Sequence, residues 1–210
     1  MSAIEQIDGY SAKKDAKLSK TGKIPKKDAK LSKTGKILVG ITGGVAVGLS
    51  LISAPFISPA LRKICLPYVP ATSSQIQNIL IALKGRTGKL VDLGSGDGRI
   101  VLEAAKHKFV SHGVELNPWL VIYSKIDAIR KGYRKETRFF RKDLWRFDLS
   151  PYQNVVVFGV EQMMAELERK IKIECDLGTN VIACRFPLPN MVPAKIIGSG
   201  IDTVWVYYIL

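Results

Sequence analysis

Cysteine is scarce in this 210-residue chain. Its three cysteines, Cys65, Cys175 and Cys184, are odd in number and include no C-x-x-C pair, so neither a disulfide framework nor a zinc site is indicated. Histidine is scarcer still. His107 and His112 lie five apart with no thiol or acidic cluster beside them, which leaves them as surface or strand-end residues and points to no metal. Acids are in deficit too, 18 against 32 Lys and Arg, for a net charge of +14. Such an excess favours acidic partners, nucleic acid or an anionic membrane surface. It is unevenly spread: residues 1–36 alone hold ten lysines and four acids. The rest is only mildly basic, which does not make a dense nucleic-acid surface.

What the chain does have begins with a repeat. KKDAKLSKTGKI stands at residues 13–24 and again at 26–37. The shift nearly matches a whole number of helical turns, so Leu18 and Leu31 could share a face. Thr-Gly in each copy and Pro25 between them argue against one continuous helix. Residues 1–36 therefore read as a Lys-rich segment, either a basic targeting or membrane-surface element or a duplicated, solvated linker. Residues 37–61, ILVGITGGVAVGLSLISAPFISPAL, contain no charge in 25 positions; about 20 apolar residues suffice to cross a bilayer core. A single membrane anchor is expected there, with a buried core helix as the alternative. The run starts too late for an ordinary cleaved signal peptide. Gly40, Gly44 and Gly48 fall on one helical face, as small residues do where membrane helices approach closely. Lys36 on one side and Arg62-Lys63 on the other leave the orientation open. Residues 62–74 form a joint, broken by Pro67 and Pro70. Thr72 to Ser74, followed by Gln75 and Gln77, resemble a capping box. The box predicts a lead-in helix at 75–83, laid against a sheet, as the start of a domain over 75–210.

From Leu90 onward strands and helices alternate. Strands are expected at 90–93, 110–115, 137–140, 154–160, 180–184, 194–197 and 203–209. Helices are expected at 98–106, after the Asn117-Pro118 cap, and at 161–174. This alternation predicts an α/β fold with a doubly wound, mostly parallel sheet, its ligands held at the carboxyl ends of the strands.

The first strand runs into LVDLGSGDGRIV, a glycine-rich turn that opens a helix and carries acids. A dinucleotide fingerprint starting at Gly94 needs a third glycine at position 99, which is Arg99, and no Gly-Lys-Ser/Thr follows for a phosphate loop. Charge then decides. A phosphate charge ~4 Å from Asp92 costs roughly 4 kcal/mol at an effective dielectric near 20. A helix N-terminus returns about 0.3–1 kcal/mol, or up to about 2 when partly buried. A cationic ligand reverses the sign. S-adenosylmethionine, with a sulfonium, an ammonium, a carboxylate and no phosphate, satisfies both requirements. Its carboxylate would take the amides of the turn at Gly94, Gly96 and Gly98, and the acids would favour its positive groups. Glu115, ending the second strand, is placed for a ribose diol, and Asp143, after the third, for the adenine amino group. Asp97 has two readings, ligand contact or N-cap of its helix. Taken together, Asp92, Glu115 and Asp143 at three successive strand ends are far more specific than any one acid.

Through Asp92-Leu93-Gly94-Ser95-Gly96 and Glu115 the chain resembles the seven-strand, class I, Rossmann-like methyltransferases. Through LPYVPAT, DLGSGDGRIV, ELNPWLV, DLW, NVVVFGV, CRFPLP and GIDTVW it resembles, more narrowly, the small membrane-anchored mitochondrial protein-lysine methyltransferases. CLPYVPAT and FGVEQMM lie nearer the branch acting on the ATP synthase c-subunit than the branch acting on the ADP/ATP translocase. The resemblance implies N-methylation, up to trimethyllysine, of a membrane-embedded mitochondrial protein, and a single-pass, inner-membrane enzyme with an uncleaved anchor. The duplicated Lys-rich segment is outside the family pattern.

Methyl transfer to lysine needs a neutral amine, and with a reference pKa near 10.4 that costs roughly 4 kcal/mol at neutral pH before tuning. An apolar channel and the nearby sulfonium would lower this cost, so no dedicated acid or base is expected. Trp119, Trp145 and Phe158 are candidate channel walls, with plain core packing as the other reading of each. Glu161 could hold the incoming lysine or simply start its helix. Phe158-Gly159-Val160-Glu161 stands where enzymes acting on planar amino groups carry Asn/Asp-Pro-Pro-Tyr/Phe, which counts against a base or amide substrate. A nucleic-acid methyltransferase and a non-catalytic adenosylmethionine-binding adaptor remain as alternatives.

Overall fold

The computed structural model describes residues 32–57 and 69–210. The first copy of the repeat, half of the second, the end of the expected anchor and the opening of the joint, with Cys65 and Pro67, lie outside the described residues.

The apolar run forms helix α1, Lys33–Ile57. It begins four residues before the expected boundary because Ser32 caps it: the Gly35 N–H donates to Ser32 Oγ at 3.1 Å and the Lys36 N–H to the Ser32 carbonyl at 3.0 Å. Thr34-Gly35, read from sequence as a breaker, falls in the first turn, where backbone N–H groups lack helical partners anyway. Twenty-five residues span roughly 37 Å at 1.5 Å each, enough for a hydrocarbon core. An 18-residue stretch within Lys33–Ser53 reaches a mean hydropathy of 1.8, and apolar side chains such as Leu38, Val45 and Leu51 are exposed. Thr42 and Ser53 return their hydroxyls to the Leu38 and Leu49 carbonyls at 2.8 and 2.7 Å, which satisfies both hydroxyls within the helix.

The following domain is a seven-stranded sheet with helices on both faces. Its elements are α2 Ser73–Ala82, β1 Lys89–Leu93, α3 Arg99–Lys106, β2 Val110–Glu115, α4 Pro118–Arg130, β3 Thr137–Arg141, β4 Asn154–Phe158, α5 Glu161–Glu174, β5 Asn180–Cys184, β6 Lys195–Ile197 and β7 Val204–Tyr208. The sheet order is β3-β2-β1-β4-β5-β7-β6. Strands β1 to β5 are mutually parallel, and β7 runs antiparallel to β5 and β6. The reversal follows from chain length. Crossovers between parallel strands need a dozen or more residues, and the connection from β6 to β7 is only a short loop with a 3-10 turn at Gly200–Asp202.

Alternation along the strands divides the core. Val91, Leu93, Val155 and Val157 pack against Met163, Met164, Leu167 and Ile171 of α5. Leu90, Val156, Ile182 and Val206 pack against Ile79 and Ala82 of α2 and Ile100 and Ala104 of α3. Each fully buried aliphatic side chain contributes about 1.5–3 kcal/mol. β4 stops at Phe158, two residues short of expectation, because Val160 is already the N-cap position of α5. The capping box holds as read: Thr72 Oγ1 accepts from the Gln75 N–H at 3.0 Å, and Gln75 Oε1 accepts from the Thr72 N–H at 3.2 Å.

Candidate functional site

Strand order reverses between β1 and β4, and a crevice at such a switch point opens beyond the strands' carboxyl ends. There the chain makes its glycine turn. Gly94, Gly96 and Gly98 have φ of 82°, 53° and 80°, conformations that side-chained residues resist. At Gly98 space is limiting as well, since a Cβ would meet the Phe139 ring at 2.7 Å and Ser124 at 2.9 Å. Gly113 serves the same end from below: a Cβ there would lie 2.6 Å from Ser95 Oγ.

The turn does not offer its amides as expected. The Gly94 and Ser95 N–H groups both donate to the Val114 carbonyl, at 2.9 and 3.0 Å, and the Gly98 N–H donates to Ser95 at 2.8 Å. The Gly96 N–H donates to Glu115 Oε2 at 3.0 Å. Buried N–H groups need partners, and a turn this tight finds them within the fold. In this structure the glycines bring the chain close over β2, and their amides are engaged within the fold.

The acids behave individually. Asp92 lies one residue before the end of β1, between Gly113 of β2 and Val156 of β4. It is 1% exposed, and neither carboxylate oxygen accepts a hydrogen bond. Six buried side-chain polar atoms among the described residues lack a partner, and three belong to Asp92 and Ser95. This concentration marks the spot as built for something other than stability. Burial, then repulsion from Glu115 and Asp97, pushes the Asp92 carboxyl up to about 8. Burial also raises the neighbouring Cys184 thiol. Glu115, half-buried at the end of β2, accepts three amides: Gly96 at 3.0 Å, Leu116 at 2.7 Å and Asn117 at 2.8 Å. Of roughly four acceptor positions on a carboxylate, about one remains for a ligand hydroxyl.

Asp97 is not the N-cap, a position held by Gly98. Its carboxylate grips the Arg99 guanidinium at 2.6 Å and takes the Arg99 N–H at 3.3 Å. Arg99 also donates to the Ala71 carbonyl at 2.7 Å, which couples the segment before α2 to the glycine turn. Asp143 follows β3 as the cap of a 3-10 turn, accepting from the Trp145 N–H at 3.2 Å.

The channel candidates separate. Phe158 is half-buried at the end of β4. Trp145 is half-buried and packs against the core, and its carbonyl accepts from Lys170 Nζ at 3.4 Å. Glu161 is exposed in the first turn of α5. Trp119 is 41% exposed, so it is not a core residue. The first turn of α4 points it outward, opposite buried Val121 and Ser124. One residue missed by sequence joins the crevice. Arg185, immediately after β5, adopts a left-handed φ of 71° and sets its guanidinium 5.5 Å from the Phe158 ring centre. A basic residue directly after a buried strand was the available signal.

The family description "ANTKMT methyltransferase domain" matches residues 92–195, and the N-terminal domain of the ATP synthase c-subunit lysine N-methyltransferases matches residues 31–62. The ATP synthase c-subunit lysine N-methyltransferase of Xenopus laevis is 55% identical over 171 residues, covering 81% of this chain and 76% of the relative. Its Homo sapiens counterpart is 52% identical, covering 81% and 73%. The adenine nucleotide translocase lysine N-methyltransferase of Mus musculus is 41% identical over 175 residues, covering 81% and 76%. Among solved structures, an RNA methyltransferase from Salinibacter ruber in complex with S-adenosyl-L-homocysteine aligns with a TM-score of 0.64 at 27% identity, covering 67% of this chain and 94% of that one.

Proposed function

The chain belongs to the ATP synthase c-subunit lysine N-methyltransferase family, and from that premise we propose that it methylates a lysine of the ATP synthase c-subunit in mitochondria. S-adenosylmethionine is the methyl donor; when bound it supplies an electrophilic methyl on a sulfonium. The observation that carries the reading onto this chain's own residues is Asp92, a buried carboxyl with no partner beside a glycine turn. An anionic nucleotide would worsen its repulsion from Glu115 and Asp97, whereas a cationic amino acid end relieves it. The residues present therefore fit this cofactor. Asp92 would face its positive groups, with Ser95 Oγ as a further hydrogen-bonding atom. Glu115 would accept one ribose hydroxyl and Asp143 would take the adenine amino group. Gly94, Gly96 and Gly98 let the chain approach closely, and Asp97 braces the turn through Arg99.

On the substrate side, Phe158 provides an aromatic wall and Arg185 a fixed positive charge against it. A like charge disfavours the ammonium form of an incoming lysine, which helps present a neutral amine without a dedicated base. Trp145 and Glu161 remain the outer candidates, Trp145 as a half-buried aromatic and Glu161 as an exposed acid that could attract the lysine before entry. Helix α1 serves as a single-pass anchor in the inner membrane, the membrane that would also hold the substrate.

The test is transfer of a labelled methyl group from adenosylmethionine to detergent-solubilised mitochondrial membranes, with the product identified by mass spectrometry. Label on a lysine of the c-subunit proteolipid is expected. Label confined to the carrier protein would move the reading to the translocase. Label confined to RNA, or cofactor binding without transfer alongside an active control, would overturn it.

A further inference from the structure

The basic excess beyond residue 36 is concentrated in one run of the chain, which the fold lays out on its surface. Residues 125–146 carry nine Lys and Arg against three acids. All nine cations, among them Lys125, Arg130, Arg134, Arg138 and Lys142, are exposed, and the three acids are half-buried. Beside them α4 turns an apolar stripe outward. Trp119, Ile122, Tyr123, Ile126 and Ile129 follow helical spacing and are 41–56% exposed, opposite the buried face of Val121, Ser124 and Ala128. Single exposed apolar residues are ordinary; five in one row over three turns are not. Charges on an edge strand protect it from pairing, which accounts for Arg138 and Arg141 on β3. It does not account for the stripe.

We propose that the outer face of α4, with the cations of residues 125–146, docks the catalytic domain onto an anionic phospholipid surface. The chemistry selects this occupant. An apolar row seats at the acyl boundary, Trp and Tyr favour the headgroup level, and the cations meet lipid phosphates. A nucleic acid would use the cations but leave Ile122, Ile126 and Ile129 without purpose. The same chain carries α1, long and apolar enough to cross a bilayer, so the domain is tethered where such a surface is available. Trp119 follows Glu115 by four residues, so the stripe begins next to the proposed cofactor crevice. Docking would hold that crevice close to the headgroups, where a lysine of a membrane-embedded substrate is presented. The surface itself does not depend on the identity of that substrate.

The experiment uses the full chain in nanodiscs of phosphatidylcholine, alone or mixed with phosphatidylglycerol. Trp119 emission is isolated as the difference between wild type and Trp119→Phe, and brominated lipids serve as quenchers. Quenching is expected in the anionic discs and should fall as salt is raised. Ile122→Asp/Ile126→Asp should remove it. Lys125→Gln/Arg130→Gln should weaken the docking equilibrium by about fivefold for each cation lost. Both variants should keep wild-type adenosylmethionine affinity, which separates docking from folding and from catalysis. Trp119 equally open to aqueous acrylamide in both discs, with no lipid quenching, overturns the proposal. So does shielding of Trp119 only by added RNA or by a second copy of the chain.

Discussion

At the scale of single residues, Asp92 decides most. Its carboxyl is ordinarily near 3.8 and stands at about 8 in the fold. Between those values the native state keeps a proton that the unfolded chain has released. Stability is therefore full below the lower value and is lost as pH rises toward and through the upper one. Asp92→Asn removes this dependence. Its thermal midpoint, compared with wild type in the absence of cofactor, should gain more at pH 8.5 than at pH 6, and an equal gain at both would remove Asp92 as the cause. A cationic ligand favours the ionised form, so cofactor binding near neutral pH should release a proton. Calorimetry in buffers of different ionisation enthalpy should show this, with affinity rising toward pH 8. Asp92→Ala and Glu115→Ala should each weaken adenosylmethionine by about 1.5–3 kcal/mol or more. Only Glu115→Ala should also lower stability, because three amides lose their acceptor. The sequence singled out both acids as candidate site residues. It could not reveal that one is unpartnered and the other nearly saturated, since partners come from packing.

At the scale of elements, caps and glycines set where things start. Thr72 caps α2 and also donates to Asp202 Oδ1 at 2.6 Å, so the cap ties the lead-in helix to the turn before β7. Thr72→Ala should cost about 1 kcal/mol in denaturant unfolding from the cap alone. Gly98 combines a φ of 80° with ring contact. Gly98→Ala should cost roughly 2–4 kcal/mol from strain and overpacking together, with cofactor affinity falling as the turn shifts. An unchanged unfolding midpoint would refute the steric account. Strand positions were legible because alternation and apolar runs are local. The start of α1 was not, because Thr-Gly reads as a breaker unless Ser32 is already known to cap the turn that contains it. The antiparallel direction of β7 was likewise a matter of connection length.

At the scale of the molecule, an apolar helix and a basic catalytic domain share one chain. Carbonate should leave the full-length protein in the membrane pellet, and a variant lacking residues 37–57 should be released. Release of the full-length protein would dismiss the anchor. The charge reading changes most at this scale. Averaged along the sequence, the excess beyond residue 36 looked dilute, although residues 125–146 carry nine Lys and Arg against three acids in a single run. Folded, that run covers part of α4, β3 and the turn after it, and its cations lie exposed beside an apolar row.

The sequence by itself determined the alternation of strands and helices, the membrane-length apolar run, the sign of charge at the glycine turn and the set of acids at strand ends. Each of these is fixed by residue type and spacing over a few turns of chain. Only the tertiary structure decided which of those acids is left without a partner, that the turn's amides serve the fold, that Arg185 sits over Phe158 and that α4 presents its apolar row outward. Desolvation, hydrogen-bond partnership and the facing of a helix depend on atoms distant in sequence, and those are set only when the sheet and its layers close together.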